Sequence, residues 1–236
     1  MIIMLDRITT LLEIPHDRPQ PQVIFLDAVG TLFGVRDSVG QIYSEVASNY
    51  GVRCDGIILD REFYLAFKTA TPCVFPNVPM IDIPQLEYQW WKAINRQTFT
   101  AAGMWTQFSD FDAFFEELYR YFTTSAAWEI YPETIAALIK WQQVGIPLGV
   151  LSNFDSRLYQ VLKVLDLEQY FSTVTISTET GAAKPQPEIF TAALDKYQCN
   201  PGDTWHIGDS KIDDYLGANG VGIRGIWLDR DLSLAK

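Results

Sequence analysis

Residues 23–26 read Val-Ile-Phe-Leu, an apolar run suited to a buried strand, but the α/β alternation such a strand would start resumes only near residue 130. The intervening stretch has helical periodicity. Val39–Tyr50, Asp55–Ala70, Leu86–Thr100 and Phe111–Phe122 are predicted helices, with a turn-rich segment from Thr71 to Pro84. Beyond residue 130 the pattern predicts helix at Glu133–Val144, strand at Pro147–Ser152, helix at Leu158–Leu165 and strand at Thr173–Ser177. Helix at Glu188–Tyr197, strand at Thr204–Gly208, a helix near Asp213–Asn219 and strand at Gly225–Leu228 complete it. Such an order implies a parallel α/β sheet with helices on both faces, opened after its first strand by a helical insertion. The expected divisions are a tail at 1–22, a core at 23–35 and 126–236, and a helical domain at 36–125. Within the tail, Leu5, Ile8, Leu11 and Leu12 have helical spacing over residues 3–14, and Pro15, Pro19 and Pro21 make a linker.

Composition narrows the partners. The 236 residues are 48% hydrophobic and carry a net charge of −11, which disfavours nucleic acid and anionic membrane surfaces. No apolar run approaches the roughly 20 residues of a membrane span, and Met1–Leu5 is cut short by Asp6 and Arg7 as a signal-peptide core. Cys54, Cys73 and Cys199 are odd in number and form no CxxC pair, so a reducing, cytoplasmic setting is expected. With only His16 and His206 present, a His-rich zinc site or a Ser–His–Asp triad is disfavoured. The aromatics of the helical block, Trp90 and Trp91 among them, read as core rather than as a cofactor box.

In open parallel sheets ligands gather at the carboxyl ends of the strands. Asp27 ends the first strand, Ser152 and Asn153 end Gly-Val-Leu-Ser-Asn, and Lys184 follows the third strand. Asp209 ends Trp-His-Ile-Gly-Asp, with Asp213 and Asp214 just beyond. Singly, these are turn, cap or solvated-loop residues. In this order, each at a successive strand end, they form a constellation.

That constellation resembles the haloacid dehalogenase-like (HAD) hydrolase superfamily. Its four motifs are similar to Asp27-Ala-Val-Gly-Thr-Leu, Leu151-Ser152-Asn153, Lys184-Pro185, and Gly208-Asp209 through Asp214. Phe75-Pro-Asn, Gln89-Trp-Trp and Ser152-Asn-Phe-Asp resemble the subgroup that includes haloacid dehalogenase-like hydrolase domain-containing protein 3 and the rhythmically expressed gene 2 product. The resemblance implies a Rossmann-like core, a helical cap in place of the insertion, and hydrolysis of a small phosphorylated metabolite through an aspartyl-phosphate on Asp27. It implies Mg²⁺ held by Asp27, the Val29 carbonyl and Asp209, phosphate contacts from Ser152, Asn153 and Lys184, and supporting roles for Thr31 and Asp214. Hard oxygen ligands suit Mg²⁺, and a compact ammonium suits phosphoryl oxygens.

One position departs from the pattern. Phosphatases of the superfamily carry a second aspartate two residues after the nucleophile, and here that residue is Val29. Loss of a general acid/base costs about 10²–10⁴-fold. Three readings follow: a metal-dependent phosphatase that is of limited efficiency or suited to aryl or acyl leaving groups, a 2-haloacid dehalogenase whose halide leaves without a proton, or a binding or regulatory protein with little turnover. Asp155 is a candidate substitute acid, with helix capping as its competing role. The dehalogenase motif is similar to Asp27–Phe33, but dehalogenases lack the Gly-Asp retained here at Asp209. Phosphonate cleavage would need a cap lysine, and Lys68 and Lys92 have no distinguishing context.

Overall fold

The computed structural model describes residues 2–3 and 20–230. Along the chain run β1 (Ile2–Ile3), β2 (Val23–Leu26), β3 (Phe33–Val35), α1 (Val39–Asn49), α2 (Gly56–Thr69), α3 (Ile83–Ala101), α4 (Phe111–Tyr121) and β4 (Trp128–Ile130). Then come α5 (Thr134–Gln143), β5 (Leu148–Ser152), α6 (Arg157–Val164), β6 (Thr173–Ile176), the single turn α7 (Ser177–Thr180) and α8 (Pro187–Asp195). The chain continues through β7 (Thr204–Gly208), a π-helical stretch at Lys211–Leu216, α9 (Gly217–Gly220) and β8 (Arg224–Leu228).

The sheet order is β1-β8-β7-β2-β5-β6, with every pairing parallel. All residues of β2, β5 and β7 are buried, which explains why β2 and most of β5 read as continuous apolar runs rather than alternating ones. Because parallel crossovers are right-handed, moving outward through β5 and β6 and then back to β7 assigns the linking helices to opposite faces. The reversal falls at β2, so the carboxyl ends of β5, β2 and β7 meet at the switch point.

Two compact units divide the chain. One comprises residues 1–34, 74–77 and 130–236; the other comprises 35–73 and 78–129. In the first, Phe25, Leu151, Ile189, Phe190 and Ala193 pack in one cluster between the sheet and α8. The second is helical. Ser38, Asp55 and Asp110 cap α1, α2 and α4 by accepting from the backbone N–H groups of Gln41, Ile57 and Ala113. Its interior is aromatic: Tyr43 stacks on Phe99 at 6.1 Å, and Phe99 meets Phe114 edge-on at 5.2 Å. Trp90 and Trp91 are half-buried, with Phe67 packed against both.

The predicted helices and strands recur within a few residues of their expected ends. The periodicity gives no sign of β3 and β4, three-residue strands that pair with each other and are too short to show alternation. Of the tail, Ile2–Ile3 form an edge strand beside β8 rather than the start of a helix; residues 4–14 of the expected helix lie outside the described residues.

Candidate active site

Strand register aligns the first three site residues. Leu26 of β2 pairs with Val150 of β5 and with Ile207 of β7, so Asp27, Ser152 and Asp209 emerge close to one another at three adjacent strand ends. The Asp27 N–H still donates to the Ile207 carbonyl at 2.9 Å, which fixes the backbone just as the strand gives way to the turn. Gly30 is left-handed at φ 86°, and a Cβ there would collide with the Asp209 carboxylate. Only glycine lets the first loop pass Asp209 this closely.

Lys184 reaches the site from the loop after α7. Its Nζ donates to Asp27 Oδ1 at 2.7 Å, Asp214 Oδ1 at 2.6 Å and the Leu151 carbonyl at 3.0 Å, which uses all three ammonium protons. Burial alone would lower its pKa, but the carboxylates of Asp214 and Asp27 outweigh that and hold it above the ordinary lysine range. Asn153 sets the loop: its Oδ1 accepts from the Lys184 N–H at 2.7 Å, and its Nδ2 donates to the Lys184 carbonyl at 2.9 Å. The Asn153 side chain is therefore engaged in positioning Lys184, where the sequence led us to expect a phosphate contact.

Asp214 is a buried anchor. Its Oδ1 takes Lys184 and, at 2.8 Å, His206 Nε2, while its Oδ2 accepts from the Ser210 N–H at 2.9 Å. Burial works against its charge, yet Lys184 and His206 hold it well below the usual carboxylate range. Gly208 makes room for it, because a Cβ there would overlap the Asp214 carboxylate. Asp213 points elsewhere and accepts from the Ser210 hydroxyl at 3.2 Å.

The remaining carboxylates are less well compensated. Burial raises the pKa of Asp27 above its ordinary value despite the opposing pull of Lys184 and of the nearby Ser152 hydroxyl. Asp209 reaches solvent, but burial by its surroundings, then the charges of Asp27 and Asp214, push it up to about 7. Carboxylate oxygens of Asp27, Asp209 and Asp214 lie within 4.8 Å of one another. Because Asp214 is already committed on both oxygens, Asp27 and Asp209 are the two able to face a cation. Among the described residues, the Val29 carbonyl accepts no hydrogen bond, while those of Ala28, Gly30 and Thr31 are all taken. Two carboxylates and one unused carbonyl fit a hard divalent ion.

Other expected residues fall into place differently. Asp155 is buried and accepts from the Arg157 N–H at 3.0 Å and from its guanidinium at 2.6 Å, so it caps α6 and is paired. Thr31 is buried, and its hydroxyl has no partner among the described residues. Sequence reasoning missed His206 as part of the network. A histidine inside an otherwise apolar strand was the available signal.

A Rossmann-like sheet with a lysine-paired aspartate and a second aspartate at neighbouring strand ends defines a class of hydrolytic enzymes. A family model for haloacid dehalogenase-like hydrolase matches residues 21–222, and the chain belongs to that family. It is 34% identical over 87% of its length to haloacid dehalogenase-like hydrolase domain-containing protein 3 of Bos taurus, covering 81% of that protein. It is 31% identical over 85% of its length to rhythmically expressed gene 2 protein of Drosophila melanogaster, covering 80% of it. Phosphoserine phosphatase of Thermus thermophilus is 35% identical over 51% of the chain and 46% of its own length. Among solved structures, an HAD phosphatase from Thermococcus onnurineus superposes with TM-score 0.60 at 22% identity, over 89% of this chain and 86% of that one. L-2-haloacid dehalogenase from Xanthobacter autotrophicus superposes with TM-score 0.63 at 16% identity, over 92% and 84%. These two scores are close, so the fold alone does not separate phosphatase from dehalogenase.

Proposed function

We propose that the chain is a Mg²⁺-dependent phosphatase that acts on a small phosphorylated metabolite through an aspartyl-phosphate on Asp27. The observation that carries this reading is the close placing of Asp209, which has no ion pair among the described residues, against the Lys184-paired Asp27 and the unused Val29 carbonyl. These three groups would hold Mg²⁺, which when bound supplies positive charge to the phosphoryl oxygens. Two carboxylates facing a dianionic substrate repel it otherwise, and a haloacid would meet the same repulsion. The similarity to a phosphoserine phosphatase points the same way.

Asp27 attacks phosphorus, and the phosphorus–oxygen bond to the leaving group breaks as the acyl phosphate forms. Lys184 holds the nucleophile through Oδ1, fixed in turn by Asp214 and by Asn153. Ser152 stands at the strand end beside Asp27, where its hydroxyl can donate to the transferred group. The leaving oxygen departs without help from residue 29, because valine has no proton to give, and Asp155 is tied to Arg157. Aryl and acyl phosphates, whose leaving groups need least protonation, are therefore the favoured substrates. Substrate choice lies with the helical unit, read as the family's cap over residues 36–125. A cytoplasmic location fits a chain in which none of the three cysteines forms a disulfide.

Dehalogenation is the second reading, favoured by Val29 and by the likeness of Asp27–Phe33 to the dehalogenase motif. The assay that separates the two uses an aryl phosphate, an alkyl phosphate and 2-chloropropionate, each with Mg²⁺ and with chelator. Mg²⁺-dependent aryl phosphate turnover that Asp27→Asn abolishes is the expected result. Chloride release that survives chelation would replace this reading with the second. Absence of turnover on all three by a folded, Mg²⁺-binding protein would favour a binding role.

A further inference from the structure

Two residues beyond β8, Arg230 turns back onto the loop that follows Asp27. Its Nε donates to the Gly30 carbonyl, and its Nη2 donates to the Thr31 carbonyl at 2.8 Å. On its other edge, Nη1 pairs with Glu133 Oε1 at 2.8 Å, and the guanidinium lies 3.4 Å from the centre of the Tyr131 ring. A planar fork can grip two successive carbonyls while stacked on an aromatic face; an ammonium cannot.

The grip completes the restraint of this loop. The Ala28 carbonyl accepts from the Leu32 N–H at 2.8 Å, the Leu32 carbonyl from Thr134 Oγ1 at 2.8 Å, and the Phe33 carbonyl from the Gly30 N–H at 2.9 Å. With Arg230 on Gly30 and Thr31, the Val29 carbonyl is the one from residues 28–33 left without a donor among the described residues. Its direction is set by the clamped peptides that follow it.

We infer that Arg230 is a positioning residue: by holding the Gly30 and Thr31 carbonyls, it aims the Val29 carbonyl and the Asp27 carboxylate at one divalent cation. Glu133 and Tyr131 orient the guanidinium for this task. The inference rests on the phosphatase reading for its effect on turnover, but not for its effect on metal binding or on the loop.

The test uses the full chain and the variants Arg230→Met, Arg230→Lys and Arg230→Ala. Mg²⁺ affinity is measured by calorimetry, amide hydrogen exchange of residues 27–34 in metal-free protein, aryl phosphate turnover, and thermal melting as the folding control. Groups that orient metal ligands typically contribute 10–100-fold to affinity, so Arg230→Met is expected to weaken Mg²⁺ binding by about that factor. It should also speed exchange at the loop, and Arg230→Lys should recover little of either. Methylguanidinium added to Arg230→Ala should restore part of the affinity, which a loss of general stability would not allow. If Arg230→Met fails to fold, Glu133→Gln is expected to shift affinity and exchange in the same direction by a smaller factor. Folded Arg230→Met with Mg²⁺ affinity and loop exchange within twofold of wild type overturns the inference, as does a wild-type chain that binds no Mg²⁺. A wild-type chain that binds Mg²⁺ but turns over no phosphate ester removes the phosphatase reading and leaves Arg230 to be judged on affinity and exchange.

Discussion

The inner and outer halves of the site are built on opposite electrostatic terms. On the inner side Lys184 and Asp214 are almost wholly buried, and each side chain makes three hydrogen bonds within the protein. On the outer side Asp209 reaches solvent, forms no ion pair among the described residues, and stands beside two other carboxylates. Folding alone satisfies the first arrangement and leaves the second with surplus negative charge. A surplus of that kind at a strand end is what a bound cation would relieve.

The strongest break is Lys184→Met. It strands Asp27 and Asp214 without their shared counter-charge, and removing one partner of a buried ion pair typically costs about 3–5 kcal/mol. The pair contributes only while both groups are charged. The stability from Asp214, whose pKa is depressed, is present above its unfolded value and is lost as pH falls through the lower folded value. That from Lys184, whose pKa is raised, is present below its unfolded value and is lost as pH rises through the folded one. The deficit of the variant should therefore be full near neutrality in urea denaturation and shrink on acidification, as the stranded carboxylates take up protons. Turnover should vanish. A variant as stable as wild type near neutrality would show that the inner half is not held by charge.

Val29→Asp acts on the outer half and should have the next largest effect. It restores a proton donor at the usual position, and general acid/base groups contribute about 10²–10⁴-fold where protonation limits the reaction. Alkyl phosphate turnover is expected to rise about tenfold or more, with aryl phosphate turnover changing little. Equal gains for both, or none, would show that departure of the leaving group does not limit the rate.

The reacting groups and the residues that hold them differed in how far the sequence disclosed them. Asp27, Ser152, Lys184 and Asp209 were legible because each lies at or soon after the end of a strand, and strand ends in a parallel sheet converge. The partners that hold them were hidden, because they depend on tertiary contacts between distant segments. His206 reads as one more residue of a buried strand until its Nε2 is seen against Asp214. Arg230 lies in the charged run Asp229-Arg-Asp, which belongs to none of the four motifs, yet it bonds a carbonyl 200 residues away in sequence. Asn153 was picked out by motif, but its reciprocal bonds to the Lys184 peptide required the loop conformation. The helical insertion was visible from its periodicity. The β3–β4 pair was not, since two three-residue strands carry no period.

Asp209→Asn gives the smallest and most discriminating test of the surplus charge. A pKa raised to about 7 means that this group contributes stability below its unfolded value and loses that contribution as pH rises through about 7. Below about pH 4 the carboxyl is protonated in the folded and the unfolded chain alike and resembles the amide, so the two metal-free proteins should melt together there and separate as pH rises toward about 7. At about pH 8 only the wild type carries the repelled charge, and the variant should melt a few degrees higher in chelator. Mg²⁺ should reverse the order, because a ligand that binds only the folded state raises Tm more the tighter it binds, and the variant has lost one carboxylate ligand. A variant that melts no higher than wild type at the alkaline pH in chelator would mean that Asp209 is not at odds with Asp27 and Asp214. The contrast between the two halves would then rest on exposure alone, and the case for a cation between Asp27 and Asp209 would lose its electrostatic basis.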